Sequence, residues 1–442
     1  MQDADTVAAL ASPFGAGALA VIRVSGPRAV EVAARIFRGR QSLAAVEAGR
    51  VMLGRIERDG ATVDEVLCTV FRAPRSYTGE DVVEISGHGG VVVAQAVLRA
   101  LFEAGARPAE PGEFTRRAFL HGKMDLTQAE AVMDLISARG EASARAAAAQ
   151  LEGRLGRLVE SLRGEVLGAL AHLEAYIDFP EEGIEAEGGL ALLGRIESLQ
   201  ASVARLLATA DEGRMLREGV RLVIFGAPNA GKSSLLNLLV GYDRAMVSEI
   251  PGTTRDTIEE NLTLRGIPFR VVDTAGLRES ADPLELEGMR RTRQHLEQAD
   301  VAVHVLDASL GSQFAGPAPG EIRVLNKIDR WAGGEFPADT VPLCCLDGRG
   351  LEDLVEAIFA RVEGGVFNRF DEAVAINVRH QDCLRAAQSF LAATAQSLVR
   401  RDAPELTALE LRAALAAVGE ITGMVDTEEV LGEIFRTFCL GK

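Results

Sequence analysis

The chain has 442 residues, of which 48% are hydrophobic, so it is long enough for two or three domains with apolar cores. Its 47 basic and 64 acidic residues give a net charge of −17, which argues against a protein that coats nucleic acid through bulk positive charge. The five cysteines show no paired C-x-x-C spacing and no apolar run approaches ~18 residues, so we expect a reducing, cytoplasmic location, no zinc site and no membrane span.

Four segments that differ in composition and hydrophobic pattern follow one another along the chain. Residues 1–118 mix short β-like runs with turns, which is typical of an α/β domain. Residues 119–216 are rich in Ala, Leu, Glu and Arg, with apolar residues at helical steps. Residues 217–372 alternate candidate strands and helices, which predicts a doubly wound parallel sheet, and residues 373–442 are helical again. Because the last helices alone make a thin core, we predict an α/β multidomain protein in which 217–372 is inserted into one helical domain.

The stretch "FGAPNAGKSS" fits the pattern G-x-x-x-x-G-K-[ST] between a β-rich run and a helical run. Backbone N–H groups of such a loop cradle phosphates, Lys232 reaches the terminal phosphates, and the Ser233 hydroxyl binds Mg²⁺. The predicted nucleotide-binding residues of this loop are Asn229, Ala230, Gly231, Lys232, Ser233 and Ser234.

Two further motifs follow later strands. "VVDTAG" places Asp273 where a carboxylate can hold the Mg²⁺ shell, with Thr274 and Ala275 leading to Gly276, whose N–H can meet a γ-phosphate. "VLNKID" supplies Asn326, Lys327 and Asp329, and a carboxylate at Asp329 can accept hydrogen bonds from guanine N1 and N2, which adenine cannot supply. "NKID" alone is also compatible with an ordinary helix start. The three motifs in this order predict a GTP-binding domain.

The loops around these motifs depart from common GTPases. "CCLDGRG" places Cys344 and Cys345 where GTPases usually carry a Ser-Ala backbone loop against the base. "IPGTTRD" offers Thr254 as a second Mg²⁺ ligand that γ-phosphate would order.

Hydrolysis needs a group other than the common glutamine, because Leu277 occupies that position. Arg255 and Arg278 remain candidates for an arginine finger. An alternative is a monovalent cation bound by Asn229 and by backbone carbonyls of "SEIPG". The acids that follow Gly276 are, by spacing alone, typical of a solvated helix face; they are Glu279, Asp282, Glu285 and Glu287.

Motifs spread over the whole chain resemble one known family. "SYTGEDVVEISGHGG", "GEFTRRAFLHGKMDLTQAEAVMDLI", "DFPEEGI", "GAPNAGKSSLLN", "GTTRD", "DTAGLRE" and the terminal "FCLGK" are similar to the MnmE (TrmE) family of tRNA-modification GTPases. The resemblance implies an N-terminal domain that binds tetrahydrofolate and dimerises, a split helical domain, and an inserted Ras-like GTPase domain.

The resemblance also implies particular site residues. The folate ligands would be Arg23, Glu84, Lys123 and Lys442, with 5-formyl- or methylene-tetrahydrofolate as cofactor; from the residues alone, Arg23 and Glu84 also suit a structural ion pair. Potassium contacts would come from Asn229 of the phosphate loop and from Ser248, Ile250 and Thr253 in the loop that precedes Asp273. Ser248 and Thr253 would also contact GTP. Glu285 would position the hydrolytic water. Cys439 would be a nucleophile or base near the folate, or a plain structural thiol.

The partners implied by the resemblance are a second copy of the chain and an FAD-containing, MnmG-like protein, in a heterotetramer or larger complex. Together they would act on tRNA, adding an aminomethyl or carboxymethylaminomethyl group to C5 of the wobble uridine, with potassium-dependent pairing of GTPase domains. Two other functions stay open at this point: a ribosome-assembly or switch GTPase without modification chemistry, and a folate-dependent methyltransferase acting alone. The net negative charge of the chain suggests that tRNA binding is shared with the partner.

Overall fold

The computed structural model describes residues 5–178, 189–244, 259–273, 294–310, 320–363, 374–424 and 428–442. The chain falls into two compact units. The first contains Met1–Met133, Leu155–Arg163 and Leu415–Lys442, and the second contains Asp134–Arg154 and Gly164–Ala414. The four-segment division suggested by the sequence stays a prediction.

The α-helices of the described residues are, in chain order, α1 (Ala29–Ile36), α2 (Val91–Glu103), α3 (Glu113–Leu120), α4 (Leu126–Ser137), α5 (Glu141–Leu151), α6 (Arg154–Asp178), α7 (Gly189–Leu207), α8 (Ala210–Glu218), α9 (Lys232–Arg244), α10 (Leu351–Glu363), α11 (Val378–Arg400), α12 (Pro404–Thr422) and α13 (Glu428–Arg436). The stretch predicted as helical after residue 119 breaks at Gly140 and Gly153. Gly153 has φ +82°, a conformation that ends a helix at little cost only for glycine.

The first unit is built on a seven-stranded sheet. Its strands are β1 (Val7–Leu10), β2 (Leu19–Ser25), β3 (Phe37–Gly39), β4 (Val51–Arg58), β5 (Ala61–Phe71), β6 (Val82–His88) and β7 (Arg107–Pro108). They lie in the order β3-β4-β5-β6-β2-β1-β7, and every pair is antiparallel except β1 with β7. This confirms an α/β N-terminal domain.

Alternation along the strands decides which face of this sheet is buried. Ile22 and Val24 of β2, with Val83 and Ile85 of β6, pack into the core that α1 and α2 cover. The intervening residues Arg23 and Glu84 therefore point to the other face, since successive side chains of a strand alternate. The two residues are direct cross-strand partners.

The second unit contains a six-stranded sheet. Its strands are β8 (Val220–Gly226), β9 (Glu259–Leu264), β10 (Ile267–Asp273), β11 (Val301–Asp307), β12 (Glu321–Asn326) and β13 (Val341–Leu343), in the order β13-β12-β11-β8-β10-β9. Five strands are parallel, which confirms the predicted doubly wound sheet. The edge strand β9 is an addition that the sequence analysis did not identify: it pairs antiparallel with β10 through a tight turn at Arg265 and Gly266.

The strand order of this sheet places the loop after β8 at the point where the order reverses. After β8 the chain builds β9 and β10 on one side, and then crosses to the other side for β11, β12 and β13. Ligands of open α/β sheets bind at the carboxyl ends of the strands where the order reverses in this way. That point lies directly after β8, where the sequence carries the glycine-rich loop.

Candidate functional site

The loop between β8 and α9 has a backbone that its glycines make possible. Gly226 has φ +147° and Gly231 has φ +102°, both in the region that favours glycine. A Cβ at Gly226 would collide with the Val305 carbonyl oxygen, and one at Gly231 would collide with Nδ2 of Asn326. The loop can therefore lie close to the neighbouring strands and present its N–H groups at the start of α9, where the helix dipole favours phosphate.

Lys232 lies over this loop. Its Nζ donates to the carbonyl oxygens of Gly226 at 3.0 Å and Ala227 at 2.9 Å. Ser233 and Ser234 follow on the first turn of α9 and are exposed. The ammonium and the hydroxyls thus stand at the helix start, as the phosphate-loop motif predicts.

Asn326, at the end of β12, joins the phosphate loop to the loop after β13. It is 2% exposed. Its Nδ2 donates to the Ala230 carbonyl at 2.8 Å, and its Oδ1 accepts from the Cys345 N–H at 3.3 Å. One buried amide therefore holds both loops.

Lys327 adds a second connection. Its backbone is left-handed, with φ +63°, and its Nζ donates to the Asn229 carbonyl at 2.7 Å and to Asp307 Oδ2 at 2.5 Å. Burial raises the pKa of Asp307, but hydrogen bonds from Lys327 and Ser309 outweigh burial, so this pKa lies below its ordinary value. Asp307 is therefore an ionised anchor for Lys327 at neutral pH.

Asp329, the predicted reader of guanine, is partly exposed beside the cysteine pair. Cys344 is buried and its Sγ lies 3.6 Å from Asp329 Oδ1, within the range of a weak thiol hydrogen bond. The predicted last strand ends at Leu343, because Cys344 bonds through its backbone to Gly348 and Arg349 in a closed loop. Burial, with Cys344 beside it, raises the pKa of Cys345 to about 11. The structure thus brings the predicted base-contacting residues together.

Part of the predicted nucleotide site lies outside the described residues. The backbone of Asp273 ends β10, as predicted. The predicted residues that are not described are Ser248, Ile250, Thr253, Thr254, Thr274, Ala275, Gly276 and the proposed water-positioning Glu285.

A second cluster lies in the first unit, on the sheet face opposite α1 and α2. Arg23 donates to Glu84 Oε1 through Nε at 3.0 Å and Nη2 at 2.7 Å, so the ion pair expected from the residues is present. The guanidinium carbon lies 4.8 Å from the centroid of the Tyr77 ring and 5.6 Å from that of Phe114, both within cation–π range. The third nitrogen, Arg23 Nη1, is buried and has no hydrogen-bond partner among the residues that the structure describes.

The end of the chain reaches the same cluster. The Lys442 carbonyl accepts from the Phe114 N–H at 3.1 Å, and the Lys442 N–H donates to the Cys439 carbonyl at 3.3 Å. Burial, followed by the charge of Arg23, lowers the pKa of Lys442, against opposing effects of Cys439 and Glu84. Lys442 is half-buried and within the electrostatic influence of Arg23, while Cys439 itself is exposed.

Lys123, the fourth predicted folate residue, is held by a nearby loop. Its Nζ donates to the Pro74 carbonyl at 2.9 Å, and its side chain is exposed. The stem of Lys123 passes close to Gly79, where His121 also lies. None of the described hydrogen bonds joins Lys123 to Arg23.

Comparisons with known proteins agree over the whole chain. Residues 126–439 match the family model of the MnmE helical domain, and residues 6–123 match that of the GTP-binding protein TrmE N-terminus. The tRNA modification GTPase MnmE of Akkermansia muciniphila is 47% identical over 449 residues, which are 99% of both chains. Those of Listeria innocua and Carboxydothermus hydrogenoformans are 43% and 42% identical over 458 residues, again 99% of both chains. The chain belongs to the MnmE family of tRNA modification GTPases.

Membership in the MnmE family decides between the functions left open. The chain is a GTPase that acts in tRNA modification. The hypotheses of an assembly factor and of an independent methyltransferase are therefore no longer supported. In the part of the chain that the structure describes, no helix is both long and apolar enough to cross a bilayer.

Three residues of this MnmE-family chain escaped the sequence analysis. Asp307 is the last residue of β11. Its position directly after the apolar run "VAVHVL" could have indicated a site residue, because residues at the carboxyl ends of parallel strands lie near the ligand-binding edge of the sheet. Tyr77 and Phe114 lie inside motifs that were recognised only as family features. Both residues are far from Arg23 in sequence, so no local sequence pattern predicts that their rings contact its guanidinium.

Proposed function

We propose that this chain, together with an FAD-dependent, MnmG-like partner, adds an aminomethyl or carboxymethylaminomethyl group to C5 of the wobble uridine of certain tRNAs. The added carbon would come from a one-carbon tetrahydrofolate, and GTP hydrolysis would gate the reaction through potassium-dependent pairing of the GTPase domains of a homodimer. The observation that supports it most directly is the buried Nη1 of Arg23, which has no hydrogen-bond partner in the described part of the chain, beside the half-buried Lys442.

The Arg23 cluster has the chemistry that a folate needs. A buried N–H without a partner costs free energy, about 1–3 kcal/mol, so a ligand acceptor there would be favoured. The ring of Tyr77 offers an aromatic wall, and burial raises its pKa, against weaker effects of Thr115 and Arg23, so the hydroxyl stays neutral. Lys442 offers a cation for a carboxylate. Bound in this cluster, a one-carbon tetrahydrofolate would supply the carbon atom that is added to uridine.

The described part of the nucleotide site also offers oxygen ligands for the Mg²⁺ and K⁺ ions that the proposed function requires. The exposed Ser233 hydroxyl at the start of α9 can serve as one oxygen ligand of Mg²⁺, which Thr254 would complete. The exposed side chain of Asn229, whose backbone has φ +60°, can offer an oxygen to K⁺, with Ser248, Ile250 and Thr253 as further ligands. Glu285 would orient the attacking water.

Binding of 5-formyl-tetrahydrofolate by the purified full chain tests the folate part. We expect saturable binding by the wild type and at least a tenfold weaker affinity in Arg23→Ala and in a chain lacking Lys442, since each removes a charged contact. Arg50→Ala, which removes an exposed arginine, is the matched control and keeps the wild-type affinity. Equal binding by all four chains would contradict the assignment.

The uridine profile of bulk tRNA tests the reaction. Cells lacking this protein should lose the 5-aminomethyl-type uridines measured by nucleoside mass spectrometry. Expression of the wild type should restore them, and expression of the chain without Lys442 should not. An unchanged profile in the deletion strain would refute the proposed chemistry and leave the GTPase activity as the established part.

A further inference from the structure

The turn between β9 and β10 contacts the start of α5, within the second unit. The Gly266 carbonyl accepts a hydrogen bond from the Ala142 N–H at 3.2 Å, and the Thr263 hydroxyl donates to the Arg139 carbonyl at 3.0 Å. A Cβ at Gly140 would lie 2.4 Å from the Gly266 carbonyl oxygen, so only glycine allows this approach. The turn is therefore docked on the helix through close backbone contact.

The first turn of α5 depends on this contact for one of its hydrogen bonds. The first N–H groups of a helix have no acceptor within the helix, and a side chain just before the helix usually supplies one. Gly140 occupies that position, and no described side chain caps α5. The Gly266 carbonyl instead accepts from the Ala142 N–H. Loss of the contact would leave that N–H without this acceptor and loosen the start of the helix.

α5 also joins the predicted helical segment 119–216 to the nucleotide-binding sheet. It belongs to that segment by sequence, yet Ala142 is buried in the apolar core of the six-stranded sheet and Ala146 packs against the same core. The Ser143 hydroxyl donates to the Leu216 carbonyl of α8 at 2.6 Å, and α8 leads directly into β8. A displacement within the sheet would therefore act directly on this helix.

The β9–β10 hairpin connects this contact with the nucleotide site. The sequence predicts a Mg²⁺ ligand before β9, Thr254, and a γ-phosphate contact after β10, Gly276, and both residues lie outside the described ones. The carboxyl end of β10, at Asp273, pairs with Ile224 near the phosphate loop. The turn is at the opposite end of β10, roughly 20 Å away at about 3.3 Å per residue. One hairpin thus connects the predicted nucleotide contacts with α5.

The contacts of the turn with α10 tolerate a small displacement, whereas its contact with α5 does not. Arg265 Nη2 pairs with Glu356 at 2.6 Å and with Glu352 at 3.4 Å, and all three side chains are exposed. Exposed ion pairs of long side chains constrain the backbone only weakly. The bond between Ala142 and Gly266, at 3.2 Å, is at the long end of the N–H···O range, so a small shift of the turn would break it.

We propose that the contact between the β9–β10 turn and the start of α5 transmits the state of the bound nucleotide to the helical segment, an inference that rests on the gating part of the proposed function. GTP holds residues on both sides of the hairpin and draws it towards the phosphate, away from α5. The Ala142 N–H then loses its acceptor and the start of α5 loosens. With GDP the contact is made. Because such coupling is reciprocal, the contact in turn favours GDP over GTP.

Hydrogen exchange of the full chain tests the proposal. Peptides that cover residues 139–146 are followed by mass spectrometry with GDP and with a non-hydrolysable GTP analogue, each with Mg²⁺ and K⁺. We expect the α5 start of the wild type to exchange about fivefold faster with the analogue, the range for loss of one hydrogen bond. Gly140→Ala forces the turn away and should exchange fast with either nucleotide. Thr263→Val removes one bond of the contact and should reduce the difference.

Nucleotide affinity supplies the reciprocal test. The ratio of the dissociation constants should shift about fivefold in favour of the GTP analogue in Gly140→Ala, and in the same direction in Thr263→Val. The matched controls are Gly164→Ala, in open space on α6, and Thr62→Val, at an exposed position of β5, and both should keep the wild-type exchange and ratio. Thr263→Val introduces no clash with the turn, so it decides the question if Gly140→Ala does not fold.

Two outcomes would overturn the proposal: a wild-type α5 start that exchanges equally with both nucleotides, or variants of the contact that keep the wild-type difference and affinity ratio. Modified uridine formed by the wild type at the same rate with GTP and with GDP would refute the gating, and the role of this contact with it. A wild type that modifies tRNA only with GTP, but whose α5 does not respond, would leave the proposed function standing and remove only this inference.

Discussion

Asn326→Ala is the substitution that should most clearly expose how the nucleotide site is held. Asn326 is 2% exposed, and its amide is the only described side chain that hydrogen-bonds both the Ala230 carbonyl and the Cys345 N–H. Alanine would leave both groups without this partner. A buried group that loses its partner costs about 1–3 kcal/mol. We assign about 2 kcal/mol to the 2.8 Å bond and about 1 kcal/mol to the 3.3 Å bond, together about 3 kcal/mol.

This cost should appear mainly as weaker nucleotide binding, because both loops must be in place for the nucleotide but not for the sheet. About 3 kcal/mol corresponds to about a 100-fold rise in the dissociation constant. The assay is a titration of the full chain with fluorescent GDP and, in parallel, with the inosine analogue. Both affinities should fall by the same factor, because Asn326 acts on the loops and not on the base.

Two variants sharpen the test of Asn326. Asn261→Ala makes the same change at an exposed position of β9 and should leave the affinity unchanged. Asn326→Asp keeps an acceptor for Cys345 but places a buried carboxylate against the Ala230 carbonyl, so it should cost at least as much as alanine. If Asn326→Ala binds GDP as tightly as the wild type and melts at the same temperature, the loops are positioned by other contacts and the reasoning is wrong.

Three further predictions concern the base and the end of the chain. Asp329→Asn should shift preference from GDP towards xanthosine diphosphate in competition titrations, because an amide N–H would then face the base oxygen at C2; an unchanged preference would disprove the role of Asp329. Gly441→Ala should weaken folate binding at least tenfold, because Gly441 has φ +91° and its Cβ would contact Ala11, whereas Gly432→Ala, with open space around it, should bind normally. Burial lowers the pKa of Lys442, so its positive charge is lost as the pH rises, earlier than for an exposed lysine; folate affinity measured against pH should fall correspondingly, and Lys442→Arg should abolish that fall.

The nucleotide site was largely predictable because its signals are local. The glycines and Lys232 of the phosphate loop are encoded within ten or so residues, and so is the strand that precedes each motif, which is β8, β10 or β12. The edge strand β9 was missed since its sequence, "EENLTL", has little of the apolar character of a buried strand. Asp307 was missed because a lone aspartate after a strand does not reveal that a lysine twenty residues later will reach it.

The first unit was less predictable because its site is assembled from distant segments. Arg23, Glu84, Phe114 and Lys442 come from four parts of the chain and meet through the pairing of β2 with β6 and the contact of the chain end with α3. Hydrophobic periodicity predicts each element but not which elements meet. The family resemblance named Arg23, Glu84 and Lys442, whereas Phe114 and the proximity of all four residues are seen only in the structure.

Arg23 shows why the two interpretations of this cluster do not exclude each other. As an ion pair it is satisfied by Glu84 through Nε and Nη2, and the two aromatic rings hold the guanidinium in place. The pair with Glu84 leaves the third guanidinium nitrogen, Nη1, buried without a hydrogen-bond partner among the described residues. Unsatisfied buried groups are rare in folded proteins, and those that persist call for an explanation such as a bound ligand or water. Under the proposed function, the ion pair would fix the guanidinium and leave Nη1 available to a hydrogen-bond acceptor of the ligand.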